Sequence, residues 1–215
     1  MKFTTQEMVC LNSILGGKNI FGIALQLPAI MIEEDYIRET QELLIEKGVL
    51  DKERHLTKEG AILIKLLDEY KKAEKHIFLN KSRMSLHKDG SMIIISKMKD
   101  GYEFQRQHKT AFIFNMLKQV SFLRNEGKPE DRMVEKVPFK EFELTLDDFK
   151  AEDIFVLKKF EKYSAVFEKI YCLKNSHGIE YELQKEEKKQ INSWELRKVI
   201  QEIFELESKV EENVR

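Results

Sequence analysis

The first seventy residues place apolar side chains at helical spacing in three separate stretches. Thr4 or Thr5 can cap the first helix, and Gly16-Gly17 supplies residues that can end it with positive φ. The second helix is predicted over Glu33–Gly48, with acidic residues at its positive end. Thr57 caps a third helix with a strong apolar stripe. The pattern therefore predicts a helical N-terminal region.

From Lys75 the apolar spacing changes to two, which is typical of strands. The first strand is predicted to run through Leu86 with a kink. Asp89-Gly90 and Asp100-Gly101 predict two-residue hairpin turns, because both central positions of such turns need positive φ. The stretch Glu74–Arg106 thus forms a three-stranded meander. A helix capped by Thr110 follows it.

The polar segment Asn125–Val134 contains Gly and Pro and lacks apolar periodicity, so it is the best linker candidate. It divides one continuous domain into residues 1–125, with three helices, the meander and a helix, and residues 126–215, with a helix, two strands and a helix. Helical spacing predicts the helical region from Asp147 to Phe167. The strands are predicted at Ile170–Leu173 and Ile179–Gln184, and the last helix starts at Asn192 or Ser193.

The second half echoes the first. Aligning Gly101 with Gly178 also aligns Glu103 with Glu180, Phe104 with Tyr181, and Gln107 with Gln184. The shared order is helix, strand, Gly turn, strand, helix, with an extra strand in the first copy. A true repeat predicts two related halves that share one central antiparallel sheet flanked by helices, an α+β fold. Chance similarity is the alternative.

Charge and apolar runs limit the classes of function. The chain has 37 basic and 38 acidic residues, which argues against broad capture of nucleic acid. Its longest apolar run, Ile20–Ile32, is too short to span a bilayer, and the N-terminus lacks a signal-peptide core. Cys10 and Cys172 are typical of reduced buried thiols. These features predict a cytoplasmic protein with no stable membrane insertion.

No motif for chemistry is present. The five histidines occur singly, and none has a Cys, Asp or Glu at metal-ligand spacing. The Gly16-Gly17 pair ends a helix instead of opening a phosphate loop. The acid pairs Glu33-Glu34 and Asp147-Asp148 fall at predicted helix starts, where they complement the helix dipole. We therefore expect no enzymatic activity, catalytic residue, metal or cofactor.

The hairpin tip in the sequence Lys97-Met98-Lys99-Asp100-Gly101-Tyr102 is the candidate site for binding a substrate protein. It places a methionine between two lysines, and methionine adapts well to irregular apolar partners. The alternative is a solvated hairpin tip. Both interpretations are open on the sequence alone.

One alternative function has a sequence basis. Leu43–Leu50, followed by Leu56-Thr57-Lys58-Glu59-Gly60, is similar to a segment of winged-helix transcription regulators. A DNA-reading helix should carry Lys and Arg. The candidate helix, Tyr36–Lys47, carries Glu39, Glu42 and Glu46 against Arg38 and Lys47. This composition favours a structural helical hairpin.

A family resemblance comes from four segments, namely Ala24–Pro28, Glu42–Leu50, Leu56–Gly60 and Leu66–Ala73. They resemble the N-terminal half of EspG-like proteins, especially EsaE-type accessory proteins of type VII (ESX) secretion systems. The resemblance spans about Leu25–Phe104 and implies a pseudo-twofold α+β fold. It also implies a cytosolic chaperone that binds a helical secreted substrate through Lys97–Tyr102 and delivers it to the secretion ATPase. Oligomeric state is not implied.

Overall fold

The computed structural model describes residues 1–25, 34–174 and 177–206. Within these residues the protein is a mixture of helices and antiparallel strands, which confirms the predicted α+β class. The helices are α1 (Thr5–Ile14), α2 (Glu34–Glu46), α3 (Lys58–Lys72), α4 (Lys109–Gln119), α5 (Phe139–Thr145) and α6 (Ser193–Ile203). The strands are β1 (Lys2–Phe3), β2 (Lys75–Leu79), β3 (Ser82–Leu86), β4 (Ser91–Met98), β5 (Gly101–His108), β6 (Val134–Lys136), β7 (Ile154–Glu161), β8 (Ser164–Lys174), β9 (His177–Glu182) and β10 (Glu187–Ile191). Gln26–Pro28 of the resemblance, Glu33 of the second predicted helix and the tail after Leu206 lie outside the described residues.

Contacts divide the chain into two compact units. The first comprises Met1–His76 and Lys81–Gln107. The second comprises Ile77–Asn80 and His108–Arg215. The chain therefore crosses between the units three times, and the division predicted at residue 125 falls inside the second unit.

Capping residues set the helices of the first unit. Thr4 caps α1 in a capping box, in which the Thr4 hydroxyl accepts from the Glu7 amide and the Glu7 carboxylate accepts from the Thr4 amide. Thr57 caps α3 by accepting from the amide of Gly60. Gly16 and Gly17 follow α1 with φ of 81° and 66°, as expected at a helix C-terminus. These predicted boundaries are confirmed.

The core of the first unit lies between helices α1–α3 and the sheet. Its fully buried members include Phe3, Met8, Leu11, Leu44, Leu67, Tyr70, Ile93 and Ile95. One ion pair is enclosed beside it, because the carboxylate of Glu7 is buried and lies 2.6 Å from Lys47 Nζ. Lys47 also donates to the Lys2 carbonyl at 2.8 Å. The pair thus connects β1, α1 and the chain that leaves α2.

The sheet of the first unit has the strand order β1-β5-β4-β3. Phe3 pairs with Tyr102, and Met84 pairs with Ile94. The prediction of one kinked strand over Lys75–Leu86 was wrong, since β2 and β3 are separate strands. Asn80, at the break between them, has a φ of 48°, a conformation that asparagine tolerates better than most residues and that ends an extended strand. The predicted three-stranded meander therefore has four strands.

Both Asp-Gly turns exist, but their geometry differs from the prediction. Four residues, His87–Gly90, connect β3 to β4. The His87 amide donates to the Ser91 carbonyl at 3.0 Å, which leaves a three-residue loop, Lys88–Gly90. Only Gly90 in that loop has positive φ. At the next turn, Gly101 is already the first residue of β5. Helix α4 is capped by His108, whose Nδ1 accepts from the Thr110 amide, and not by Thr110 as predicted.

The second unit contains a longer sheet with the strand order β2-β7-β8-β9-β10-β6, to which β2 contributes from Ile77 onward. The prediction of helix from Asp147 to Phe167 was wrong. Strands β7 and β8 form a hairpin there, with Val156 opposite Ile170. Ile154, Leu157 and Phe160 have helical spacing, but they belong to a strand that is apolar on both faces at its start. Such runs do not reveal their period.

One face of this sheet is covered by α5. Phe142 is fully buried and stacks on Tyr181 with ring centroids 4.0 Å apart. The Tyr181 hydroxyl donates to the Val137 carbonyl at 2.8 Å. Strands β7–β10 form a second four-stranded meander, of which β10 was not predicted because Glu187–Gln190 is entirely polar. The prediction of two strands in this half was therefore wrong.

The predicted polar linker Asn125–Val134 is held against the start of α6. The Ser193 hydroxyl donates to the Asn125 carbonyl at 2.6 Å, and the side-chain nitrogen of Asn192 donates to the Lys128 carbonyl at 2.7 Å. Asn192 also caps α6, which confirms the predicted start of the last helix. The segment is polar because its backbone groups bond to a helix cap.

The same order of elements occurs twice along the chain. A short strand and a helix precede four strands and another helix, as β1–α1 with β2–β5–α4 and as β6–α5 with β7–β10–α6, although α2 and α3 are additional helices before β2 in the first series. The aligned glycines do not match in this order. Gly101 opens β5, the fourth strand of its series, whereas Gly178 lies in β9, the third. The sequence alignment of the two halves is thus displaced by one strand.

Among the residues described, no helix combines the length and apolar character needed to cross a membrane.

Candidate functional site

The tip of the β4–β5 hairpin carries the residues predicted to bind a partner. Lys97, Met98, Lys99 and Asp100 are all exposed. The Met98 side chain keeps 40% of its surface accessible although it belongs to β4, a strand that is buried over Met92–Ile95. The hairpin thus projects an apolar, adaptable side chain beyond the core that supports it.

Gly101 shapes the base of this tip. Its φ is 143°, and a Cβ added there would overlap the carbonyl of Phe3. Phe3 pairs with Tyr102 in the β1–β5 register. Glycine therefore lets β1 approach β5 closely. Gly101 is needed for this packing at the base of the hairpin and is not part of its exposed surface.

Tyr102 lies in the core of the first unit with 5% of its surface exposed. Its hydroxyl is 3.5 Å from the Ala24 carbonyl. On the same face of β5, Phe104 packs edge-on against Phe3 with centroids 5.9 Å apart. Of the six predicted residues, four form the exposed tip, and Gly101 and Tyr102 hold it from below.

The sequence reasoning missed Lys81, which lies beside this tip. The amide of Lys97 donates to the carbonyl of Lys81 at 3.0 Å, and Ser82 pairs with Ser96 next to them. The turn that brings Lys81 here is the break between β2 and β3. Asn80 was the available signal, because asparagine is favoured where φ is positive.

Three side chains fix the segment that precedes the undescribed residues 26–33. Tyr70 donates to the carbonyl of Phe21 at 3.0 Å, and Arg83 Nε donates to that of Gly22 at 3.1 Å. Tyr102 lies next to Ala24, as described above. The segment is thereby held against the helical side of the first unit's sheet.

The segment similar to winged-helix regulators forms a compact helical hairpin. Thr57 donates to the carbonyl of Gly48 at 2.6 Å, and a Cβ at Gly60 would overlap the carbonyl of Val49. Glycine at this position therefore serves the close packing of α3 on the preceding turn. The exposed face of α2 carries Glu39, Glu42 and Glu46. Such a face repels phosphates.

Two buried titratable groups, His76 and Cys172, have shifted pKa values. Burial lowers the pKa of His76 to about 4, and its Nε2 lies 3.2 Å from the Tyr70 carbonyl. Burial raises the pKa of the Cys172 thiol to about 11, which opposes thiolate chemistry. Within the described residues, no group of three or more His, Cys, Asp or Glu side chains could hold a metal ion.

Among the cavities formed by the described residues of the second unit, two differ in character. One has a volume of about 20 Å³ and a wholly apolar lining that includes Met116, Tyr171 and Ile200. The other is a polar cleft of about 310 Å³ beside β6, bordered by Arg132, Met133 and Lys188. Arg132 is neutralised there by Glu130 at 2.5 Å. Neither cavity brings together a nucleophile and a base.

Comparison with known proteins gives one positive finding. A family model described as "Domain of unknown function (DUF5081)" matches residues 1–212. A search of curated proteins found no significant match.

Proposed function

The chain belongs to the DUF5081 family, and from this premise we propose that it is a non-enzymatic binding protein, a chaperone or adaptor of type VII secretion. It binds a helical substrate protein in the cytoplasm and helps deliver it to the secretion ATPase. The observation that carries the proposal is the exposed Met98 on a hairpin whose base is fixed by Gly101 and Tyr102. The resemblance to EspG-like and EsaE-type proteins supplies the biological setting.

The mechanism is capping of apolar surface. A secreted helical protein exposes apolar side chains before it reaches its own assembly, and such patches cause aggregation. Met98 covers part of that surface, while the neighbouring strands keep the hairpin in one conformation. Because no bond is made or broken, the chemistry is surface complementarity.

We extend the proposal to the architecture, as a pseudo-twofold, EspG-like arrangement of two related halves. The repeated order of strand, helix, four strands and helix supports it. Duplication of one ancestral unit explains why each meander is followed by a helix and preceded by a short strand that pairs with its last strand.

Co-expression tests the proposal. The protein is produced together with small helical proteins encoded beside it, and complexes are isolated by size-exclusion chromatography. We expect a stable complex that Met98→Asp weakens by at least about tenfold, the scale of a buried contact. The matched control is Met133→Asp, because Met133 is a methionine of the second unit with 82% exposure.

The proposal fails if no helical neighbour binds, or if Met98→Asp and Met133→Asp affect binding equally. DNA binding at low salt that weakens steeply with added salt would instead support the winged-helix alternative. The acidic face of α2 makes that result unexpected.

A further inference from the structure

Two lysines of the first unit face each other beside the hairpin tip. Ser82 pairs with Ser96, and the Lys97 amide donates to the Lys81 carbonyl. Lys81 and Lys97 therefore lie directly opposite each other on neighbouring antiparallel segments. Residues opposite each other in an antiparallel pair share a face, and like charges in that position are destabilising. The protein therefore keeps an unfavourable pair at an exposed position.

No ion pair within the described part of the chain compensates these charges. Lys81, Lys97 and Lys99 are exposed and form no ion pair there. Elsewhere in the same unit, Lys47 pairs with Glu7 and Lys72 with Asp68, whereas Lys52, Lys58 and Lys88 form no ion pair with the described residues. The turn itself contributes one acid, the exposed Asp100. The end of the hairpin thus carries three lysines, one aspartate and the exposed Met98.

The exposed methionine and the lysines without ion pairs define the chemistry of a matching partner surface. Strand alternation directs Lys97 and Met98 to opposite faces of the hairpin, so the partner must cross the end of the hairpin to offer apolar contact to Met98 and carboxylates to the lysines. We infer that the basic hairpin end, defined as Lys81, Lys97, Met98 and Lys99, binds a helical segment of the partner protein that carries carboxylates beside its apolar face. The inference rests on the proposed function and adds the chemistry of the bound segment.

A helical segment fits this charge pattern. Acidic residues one turn apart on a helix lie on one side of its apolar face, so a single helix can present both kinds of contact together. The carboxylates also relieve the repulsion between Lys81 and Lys97. Binding should therefore be favoured at low salt and weaken as salt screens the charges.

The test uses the full-length protein and two synthetic helical peptides of about 20 residues, long enough for five turns. Both have leucine and alanine on one face. One carries glutamates beside that face, and the other carries lysines at the same positions. Affinity is measured by fluorescence anisotropy at low and physiological salt. The acidic peptide should bind with a salt-dependent affinity, and the basic peptide should not bind.

The variant with Lys81→Glu, Lys97→Glu and Lys99→Glu should lose at least about tenfold in affinity for the acidic peptide. Its matched control carries Lys52→Glu, Lys58→Glu and Lys88→Glu, which replace three exposed lysines of the same unit outside the hairpin end. The control has the same net charge and should bind like the unmodified protein. Circular dichroism checks that both variants are folded.

The inference is overturned if neither peptide binds, if both bind equally, or if the two variants lose affinity to the same extent. Binding of phosphatidylglycerol vesicles through the same lysines, in place of the peptide, would also overturn it. Its failure is distinguishable from that of the proposed function. If a co-expressed helical neighbour binds through Met98 while the triple variant keeps its affinity, the proposed function stands without the inference.

Discussion

Gly101 shows how one residue can support a surface to which it contributes little. It occupies a positive φ, and the space where its Cβ would lie is filled by the Phe3 carbonyl. Alanine should therefore destabilise the first unit by about 2–4 kcal/mol, through backbone strain together with displacement of β1. Urea unfolding followed by circular dichroism measures the change.

The control for this substitution is Gly17→Ala. Gly17 also has positive φ, but nothing lies within 4 Å of its Cβ position. It should cost only about 1 kcal/mol, the strain contribution alone. Equal effects of the two substitutions would show that the approach of β1 to β5 does not depend on Gly101.

His76 makes stability depend on acidity. Its folded pKa of about 4 lies below the value of about 6.5 in an unfolded chain. The unfolded state therefore binds the proton first, so this contribution is complete above pH 6.5 and decreases as pH falls toward 4. The loss is about 3 kcal/mol. Burial lowers the pKa of His87 too, which adds to the same trend.

The variant His76→Gln should flatten the dependence of unfolding free energy on pH between about 6.5 and 4. His55→Gln is the control, since the His55 side chain is 80% exposed. An unchanged pH dependence in His76→Gln would assign the acid sensitivity to other groups.

For single residues, the sequence predicted helix caps better than it predicted which side chains are buried. Thr4, Thr57 and Asn192 were recognisable as caps because the capping function depends on local side-chain chemistry. Tyr102 was assigned to the surface, because alternation in a strand separates two faces without telling which face the helices cover. Lys81 was missed for a related reason, since its position depends on a turn that was not recognised.

At the level of elements, Asn80 continues a strand with its side chain. Its amide nitrogen in the backbone donates to the Val156 carbonyl at 3.0 Å. Its side-chain oxygen accepts from the Val156 amide at 2.7 Å, and its side-chain nitrogen donates to the Ile154 carbonyl at 3.1 Å. The carboxamide thus extends the pairing of β2 with β7 past the point where the backbone turns.

Asn80→Ala should cost about 1–3 kcal/mol, because two bonds to β7 are lost and alanine tolerates a φ of 48° poorly. Asn80→Asp keeps the acceptor for the Val156 amide and should have an intermediate effect. Thermal unfolding measures both. The idea that the side chain extends the pairing is wrong if alanine and aspartate have the same effect.

Helices and strands whose apolar residues recur at a regular spacing were predicted from the sequence, and those without such a spacing were not. Helix α3 has one apolar stripe and a cap, and its prediction was confirmed. Strand β7 starts with four apolar residues, which contain no period, and β10 starts with four polar ones. Their conformation is decided by neighbouring strands rather than by their own sequence.

At the scale of the whole molecule, the second unit depends on a strand from far outside it. Ile77–Asn80 belongs to that unit, whose remaining residues start at His108. No local pattern marks Ile77 and Phe78 as partners of Phe160, because the contact depends on tertiary packing. The division into units was therefore beyond sequence reasoning.

A fragment of residues 108–215 should consequently fail to fold alone. Without β2, the edge of β7 and the ring of Phe160 are left uncovered, which favours aggregation. Fusing residues 75–81 to the start of the fragment through a flexible linker should restore cooperative unfolding. Circular dichroism and size-exclusion chromatography compare the two. A fragment that unfolds cooperatively without the added strand would contradict this expectation.

This dependence also has a consequence for synthesis on the ribosome. The first unit is complete once Gln107 has emerged, whereas β2 must wait for a strand that starts at Ile154, 75 positions after Leu79. At ordinary translation speed the delay is about 4–15 s. During that time Ile77 and Phe78, which become buried, are exposed on a nascent chain whose first unit can already fold. A protein proposed to shield the apolar surfaces of others therefore has a short interval in which its own strand is unshielded.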